Sequence, residues 1–106
     1  MHIQEQLVKL IQEINNVTSA NKIYLFGSYA YGEPNENSDV DLCIVINNTD
    51  TGKRELVRSI RSRIAEVATI PVDVLVYDEY EFLERAYLES TMEHMIAHEG
   101  VCVYEQ

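Results

Sequence analysis

Val40–Ile46, reading Val-Asp-Leu-Cys-Ile-Val-Ile, constrains the fold of this chain more than any other stretch. Its second half is continuously apolar, which marks a strand buried on both faces. The neighbouring segments supply further strands. Lys22–Phe26 is a short run of β-formers, and Ile70–Tyr77 is another, with Pro71 at its start where no ladder N–H is lost. Val101–Tyr104 reads as a terminal strand. Helical spacing fills the gaps. His2–Asn15 carries Ile3, Leu7, Leu10, Ile11 and Ile14 along one face, and Lys53–Ala68 carries Val57, Ile60, Ile64 and Val67. Tyr29–Tyr31 has room for one helical turn. Gly32–Ser38 and Asn47–Gly52 have loop chemistry. From Glu79 the chain is helical again, with Phe82, Leu83, Ala86 and Tyr87 clustered. Ser90-Thr-Met-Glu93 matches a capping box that starts a fresh helix, and Gly100 is placed to stop it. The order α-β-(turn)-β-α-β-α-β predicts an α/β (α+β) fold: one small mixed sheet of about four strands with helices packed against it. With 106 residues, the expectation is a single domain over 1–106.

The net charge of −10, from 8 Lys+Arg against 18 Asp+Glu, argues against direct nucleic-acid binding, which needs a basic face. It serves solubility, and it also suits a basic protein partner. A domain of this size leaves clefts that a partner or a second copy of the chain would help to cover. Cys43 and Cys102 lie in apolar runs without metal-ligand spacing, so both are expected to be buried structural thiols. No stretch approaches the ~20 apolar residues of a membrane span, and Met1 is followed by a polar segment; the expected location is cytoplasmic.

Two clusters carry chemistry. Gly27-Ser28 directly follows a strand. Glycine there lets the backbone approach a ligand, and the following N–H groups and the Ser28 hydroxyl can face a phosphate. As a lone dipeptide this is a weak signal, and a plain turn is the better reading. The second cluster is Ser38-Asp-Val-Asp-Leu42. Asp39 and Asp41, two apart in a strand, point to one face at roughly 7 Å. Bare carboxylates at ~4 Å repel by about 4 kcal/mol at an effective dielectric of ~20, so the pair suggests a cation. All-oxygen ligands favour Mg²⁺ or Mn²⁺ over zinc. A solvated strand start is the simpler reading of Asp39. Asp73, inside Val72-Asp-Val-Leu-Val76, is either salt-bridged, solvent-facing at a sheet edge, or the third acid of a two-metal site.

Together, Phe26-Gly-Ser-Tyr-Ala-Tyr-Gly32, Ser38-Asp-Val-Asp-Leu42 and the later Asp73 resemble the signature of the polymerase-β-type nucleotidyltransferase superfamily, in its minimal nucleotidyltransferase (MNT) branch. The resemblance runs over nearly the whole chain, including Glu99–Tyr104. It implies the nucleotidyltransferase fold. It also implies that Gly27, Ser28 and Ser38 bind nucleotide, with Ser28 and the Gly27 backbone on the β,γ-phosphates. Asp39 and Asp41 would bind two Mg²⁺ ions. Asp73 would hold the catalytic ion and help activate the attacking hydroxyl. One departure is Tyr31, where members of this branch often carry arginine.

The resemblance further implies a partner. Short MNT chains commonly pair with a helical HEPN protein, often an RNase toxin, and act as its antitoxin by transferring AMP from ATP to a tyrosine hydroxyl. An occluding binding module of weak or no activity, and a small-molecule nucleotidyltransferase, are the alternatives. Elsewhere, Arg54, Arg58 and Arg61 form a stripe read as a solvated helix face. His94 and His98 sit one turn apart without an evident third ligand, and are read as surface histidines. Tyr29 and Tyr31 either stack on a base or pack around the loop.

Overall fold

The computed structural model describes residues 3–35, 37–47 and 52–106. The expected helical start at His2, Glu36 of the first loop and most of the 47–52 loop lie outside the described residues. The elements are α1 (Ile3–Val17), β1 (Ala20–Phe26), α2 (Ser28–Tyr31), β2 (Val40–Ile46), α3 (Lys53–Val67), β3 (Val72–Asp78), α4 (Glu79–Ala86), α5 (Met92–Glu99) and β4 (Val101–Glu105). They build a four-stranded mixed sheet in the order β3-β2-β1-β4. β1 is antiparallel to both β2 and β4, while β2 and β3 run parallel and are joined by the α3 crossover.

The alternation of side chains along β2 explains why it must be central. Leu42, Ile44 and Ile46 join a core with Leu7, Leu10 and Ile14 of α1 and Leu56, Ile60 and Ile64 of α3. Cys43 and Val45 point the other way, into a second core with Phe82, Ala86 and Ile96 of α4 and α5. Both faces of the sheet are therefore covered, and their burial is the main stabilising term. Gln6, buried in α1, does not waste its amide: its Oε1 accepts from the Thr69 N–H and hydroxyl at 2.6 and 2.7 Å, tying α1 to the turn after α3. No helix among the described residues is long and apolar enough to cross a membrane.

Three expectations are corrected. First, Leu83 and Tyr87 do not join Phe82 and Ala86 in the core. They are 59% and 86% exposed, because α4 buries one narrow stripe only. Second, the cap of α5 is Thr91 rather than Ser90. The Thr91 hydroxyl accepts from His94 N–H at 3.1 Å, which moves Glu93 off the capping-box position and into the interior. Third, Cys102 is exposed, since β4 is an edge strand, while Cys43 is buried as expected. Gly100 does end α5, but by close approach: a Cβ there would press on the Ile96 carbonyl oxygen at 2.5 Å.

Two predictions arise here. Burial, with the Glu93 charge, pushes the Cys43 thiol up to about 12, so at pH 8 it is protonated as well as covered. Ellman titration of the native chain should therefore score one thiol promptly, from Cys102, and the second only in denaturant. Cys102→Ser should remove the prompt reaction. The other concerns Glu93, 6% exposed, whose Oε2 accepts from the Tyr77 hydroxyl at 2.7 Å. Burial, then the Glu93 hydrogen bond, raise the Tyr77 phenol above its ordinary value, which keeps it a donor. Tyr77→Phe strands a buried carboxylate and should cost about 2 kcal/mol, read as a lower midpoint in urea unfolding at unchanged slope.

Candidate functional site

β1 ends at Phe26, and Gly27 turns the chain with φ 76° and ψ −153° into the short α2. A side chain at Gly27 would be strained by that φ, and a Cβ would collide with the Asp41 Oδ2 atom. The carboxylate of Asp41 thus lies directly over the Gly27 backbone. Beyond it, the Ala30 and Tyr31 N–H groups donate to the Gly27 carbonyl, both at 3.0 Å, closing the α2 turn. The hydroxyl-bearing Ser28 opens that turn and is half-buried.

Strand pairing brings the acids to the same end of the sheet. Asp41 is the Cα partner of Phe26 on one side and of Asp73 on the other. The Val40 N–H donates to the Pro71 carbonyl at 2.9 Å, which fixes β2 and β3 in that register. Pro71 is thus useful as an acceptor just ahead of β3, where its missing N–H is harmless. Asp39 precedes β2 by one residue and is exposed; Asp73 is exposed on an edge strand. Asp73 has no salt bridge among the described residues, and its edge position accounts for a charge inside the apolar β3. By alternation, Asp41 and Asp73 share a sheet face with Cys43 and Leu75, the face that α4 and α5 cover further along.

Asp41 is half-buried. Burial, then the charges of Asp73 and Asp39, raise its carboxyl above the usual carboxylate range. None of the three carboxylates has an ion-pair or hydrogen-bond partner among the described residues. Nor do three His, Cys, Asp or Glu side chains converge tightly enough there to form a ready metal cage. Asp41 and Asp73 in register, with Asp39 just ahead of β2 and no ion-pair partner among the described residues, are chemically suited to divalent cations, which would relieve the repulsion. The remaining predicted residue, Ser38, plays a visible local part. Its hydroxyl accepts from the Asn35 N–H at 2.9 Å, and its own N–H donates to the Asn35 carbonyl at 3.0 Å. Those bonds hold the loop that delivers Asp39.

Of the other candidates, Arg54, Arg58 and Arg61 are exposed on α3 around a groove of about 530 Å³, and Arg61 also lines a neighbouring groove together with Asp73. The His94 and His98 rings stack at 4.0 Å, and each Nδ1 pairs with a backbone carbonyl, of Ala86 and His94 respectively. Tyr29 packs against the α1–α3 core, whereas Tyr31 is 41% exposed. Sequence reasoning missed the Gly27–Asp41 contact and the Tyr77–Glu93 pair. Strand alternation does put Tyr77 on the same face as Cys43, but nothing in the sequence brings Glu93 to it.

Comparison with known proteins identifies the family and the fold. The nucleotidyltransferase domain family matches residues 5–98. The protein adenylyltransferase MntA of Shewanella oneidensis is 35% identical over 46 residues, 43% of this chain and 32% of that protein. The match thus spans about a third of that relative's length. Among solved structures, one assigned as a nucleotidyltransferase from Sulfolobus solfataricus superposes with a TM-score of 0.59 at 20% identity, covering 98% of this chain and 86% of the other. A toxin–antitoxin structure with AMP-PNP superposes at 0.53 and 22% identity, over 96% and 73%. At those identities the two structures show the shared fold.

Proposed function

Because the chain belongs to the nucleotidyltransferase domain family, in an MNT-type form, we propose that it transfers AMP from ATP to a hydroxyl of a partner protein. One observation carries this reading: Asp41 sits over the Gly27 backbone and in register with Asp73, so a phosphate-facing turn and the acids share one end of the sheet. Gly27, bare of a side chain, admits the Asp41 carboxylate over its backbone, and the Ser28 hydroxyl of the turn that follows donates to a phosphate. Asp39 and Asp41 would hold two Mg²⁺ ions, or Mn²⁺ in their place, with Asp73 completing the set. When bound, such ions neutralise charge on the attacking and leaving oxygens. Asp73 also takes the proton of the incoming hydroxyl and orients its oxygen for in-line attack on the α-phosphorus. The O–P bond forms as the bond to pyrophosphate breaks. Ser38 acts on nucleotide binding through the loop that sets Asp39.

The acceptor in this reading is a tyrosine of a HEPN-type RNase toxin, which makes the chain an antitoxin acting in the cytoplasm as a single domain. The similarity to MntA supports it, and the net charge of −10 suits a basic, RNA-binding partner. A second reading is favoured by Tyr31, exposed and uncharged where arginine is frequent in the resembled branch: a module that silences its partner by occlusion. Isothermal titration of ATP with Mg²⁺ separates the two. Binding that disappears in Asp39→Asn/Asp41→Asn supports the enzyme. Tight partner binding by a chain that takes up no nucleotide supports occlusion.

A further inference from the structure

The described residues expose nine large hydrophobic side chains, and six of them fall between Tyr80 and Met95. Tyr80, Leu83 and Tyr87 recur at spacings of three and four along α4, with exposures of 83%, 59% and 86%. Leu88 follows in the connection, and Met92 and Met95 lie one turn apart on α5. The connection is tied by hydrogen bonds: the Thr91 hydroxyl reaches the Arg85 and Leu88 carbonyls at 2.7 and 2.8 Å, so the two helices close into a hairpin. Aromatic residues, Leu and Met concentrated on one exposed hairpin mark an interaction surface.

Charge selects the occupant. Asp78, Glu79, Glu81, Glu84, Glu89 and Glu99 lie in or beside this hairpin against Arg85 and Lys53, the latter paired with Glu81 at 2.9 Å. A second copy of the chain, meeting it across a two-fold axis, would set those acids against themselves. A basic surface meets them with opposite charge. Position adds a third argument. α4 and α5 cover the sheet face to which Asp41 and Asp73 belong, and α5 runs through Gly100 into β4, whose Val101 pairs with Leu25, two residues before Gly27.

We propose that the α4–α5 hairpin is the docking face for the acceptor protein, whose matching surface presents lysines and arginines around apolar anchors. The proposal rests on the protein-acceptor reading above. Docking there brings the partner to the face that holds the acids. Arg54 and Arg58 of the α3 stripe take no part.

The test uses the HEPN-type chain co-expressed and co-purified with this one. Leu83→Asp/Tyr87→Asp changes two exposed residues, and circular dichroism checks that its fold is kept. Its affinity for the partner should fall at least a hundredfold by surface-bound titration, with Mg²⁺–ATP affinity within twofold of wild type. Arg54→Glu/Arg58→Glu should bind the partner as wild type does. Partner affinity that survives Leu83→Asp/Tyr87→Asp overturns the proposal, as does loss only in the α3 variant. So does light scattering that shows a wild-type homodimer which the α4 variant dissolves. Loss of partner binding in the α4 variant, alongside a wild-type complex that transfers no AMP, would uphold the docking face and sink the enzymatic reading alone.

Discussion

Replacing Asp41 with asparagine should raise the melting temperature of the free chain while abolishing its metal-dependent ATP binding. The two effects have one cause. Asp41 is half-buried, faces Asp73 across the parallel β2–β3 pair and follows Asp39 by two residues, with no counter-charge among the described residues. Like charges directly opposite in a sheet destabilise it, by up to about 1 kcal/mol. For a domain of this size that is roughly 4–8 °C in melting temperature. The pH dependence gives an independent check. Because the folded carboxyl titrates above its unfolded value, the folded state binds more protons across that window. Wild-type stability should therefore decline as pH rises from the ordinary carboxylate range through the raised value. Asp41→Asn should lack that decline. A scanning-calorimetry series against pH, with and without Mg²⁺–ATP, measures both. A variant less stable than wild type would show that Asp41 is held by a partner this account omits.

Gly27→Ala should be the most damaging single methyl group in the chain. The added Cβ meets a positive φ and the Asp41 carboxylate at once. Strain at such a backbone position costs about 1–3 kcal/mol, and displacing Asp41 adds to it. The expected outcome is a loss of about 3 kcal/mol in urea unfolding, and nucleotide binding too weak to detect by calorimetry. Gly27→Ala combined with Asp41→Gly separates the terms. Relief of the collision should recover part of the stability and none of the binding.

Much of this arrangement was legible in the sequence, and the reasons differ by element. β2 was read with its observed bounds, because a continuous apolar run between a loop and a polar stretch admits few alternatives. Asp41 and Asp73 each sit at the second position of a strand, so a parallel pairing in register sets them side by side. The α4–α5 region was less legible. Amphipathic spacing placed Leu83 and Tyr87 with Phe82 and Ala86, but periodicity reports which residues share a face and not how wide a stripe the sheet covers. The cap of α5 slipped by one because Ser90 and Thr91 are both good N-caps. Only the Thr91 hydroxyl is free to bridge back to α4 while accepting from His94. Cys102 sat in an apolar run like Cys43, and nothing local says that its strand lies at the edge of the sheet. The overlap of Asp41 with Gly27 needs the β1–β2 register, which the sequence does not encode within either segment.

The central claim is that the acids and the Gly27 turn form a working transfer site for a protein hydroxyl. Intact mass spectrometry of the co-purified partner, after incubation with this chain, ATP and Mg²⁺, tests it most directly. The account predicts a partner heavier by one adenylyl group, lost when Asp39→Asn/Asp41→Asn replaces the wild-type chain and absent without Mg²⁺. A partner that stays tightly bound and keeps its mass under all three conditions would contradict it.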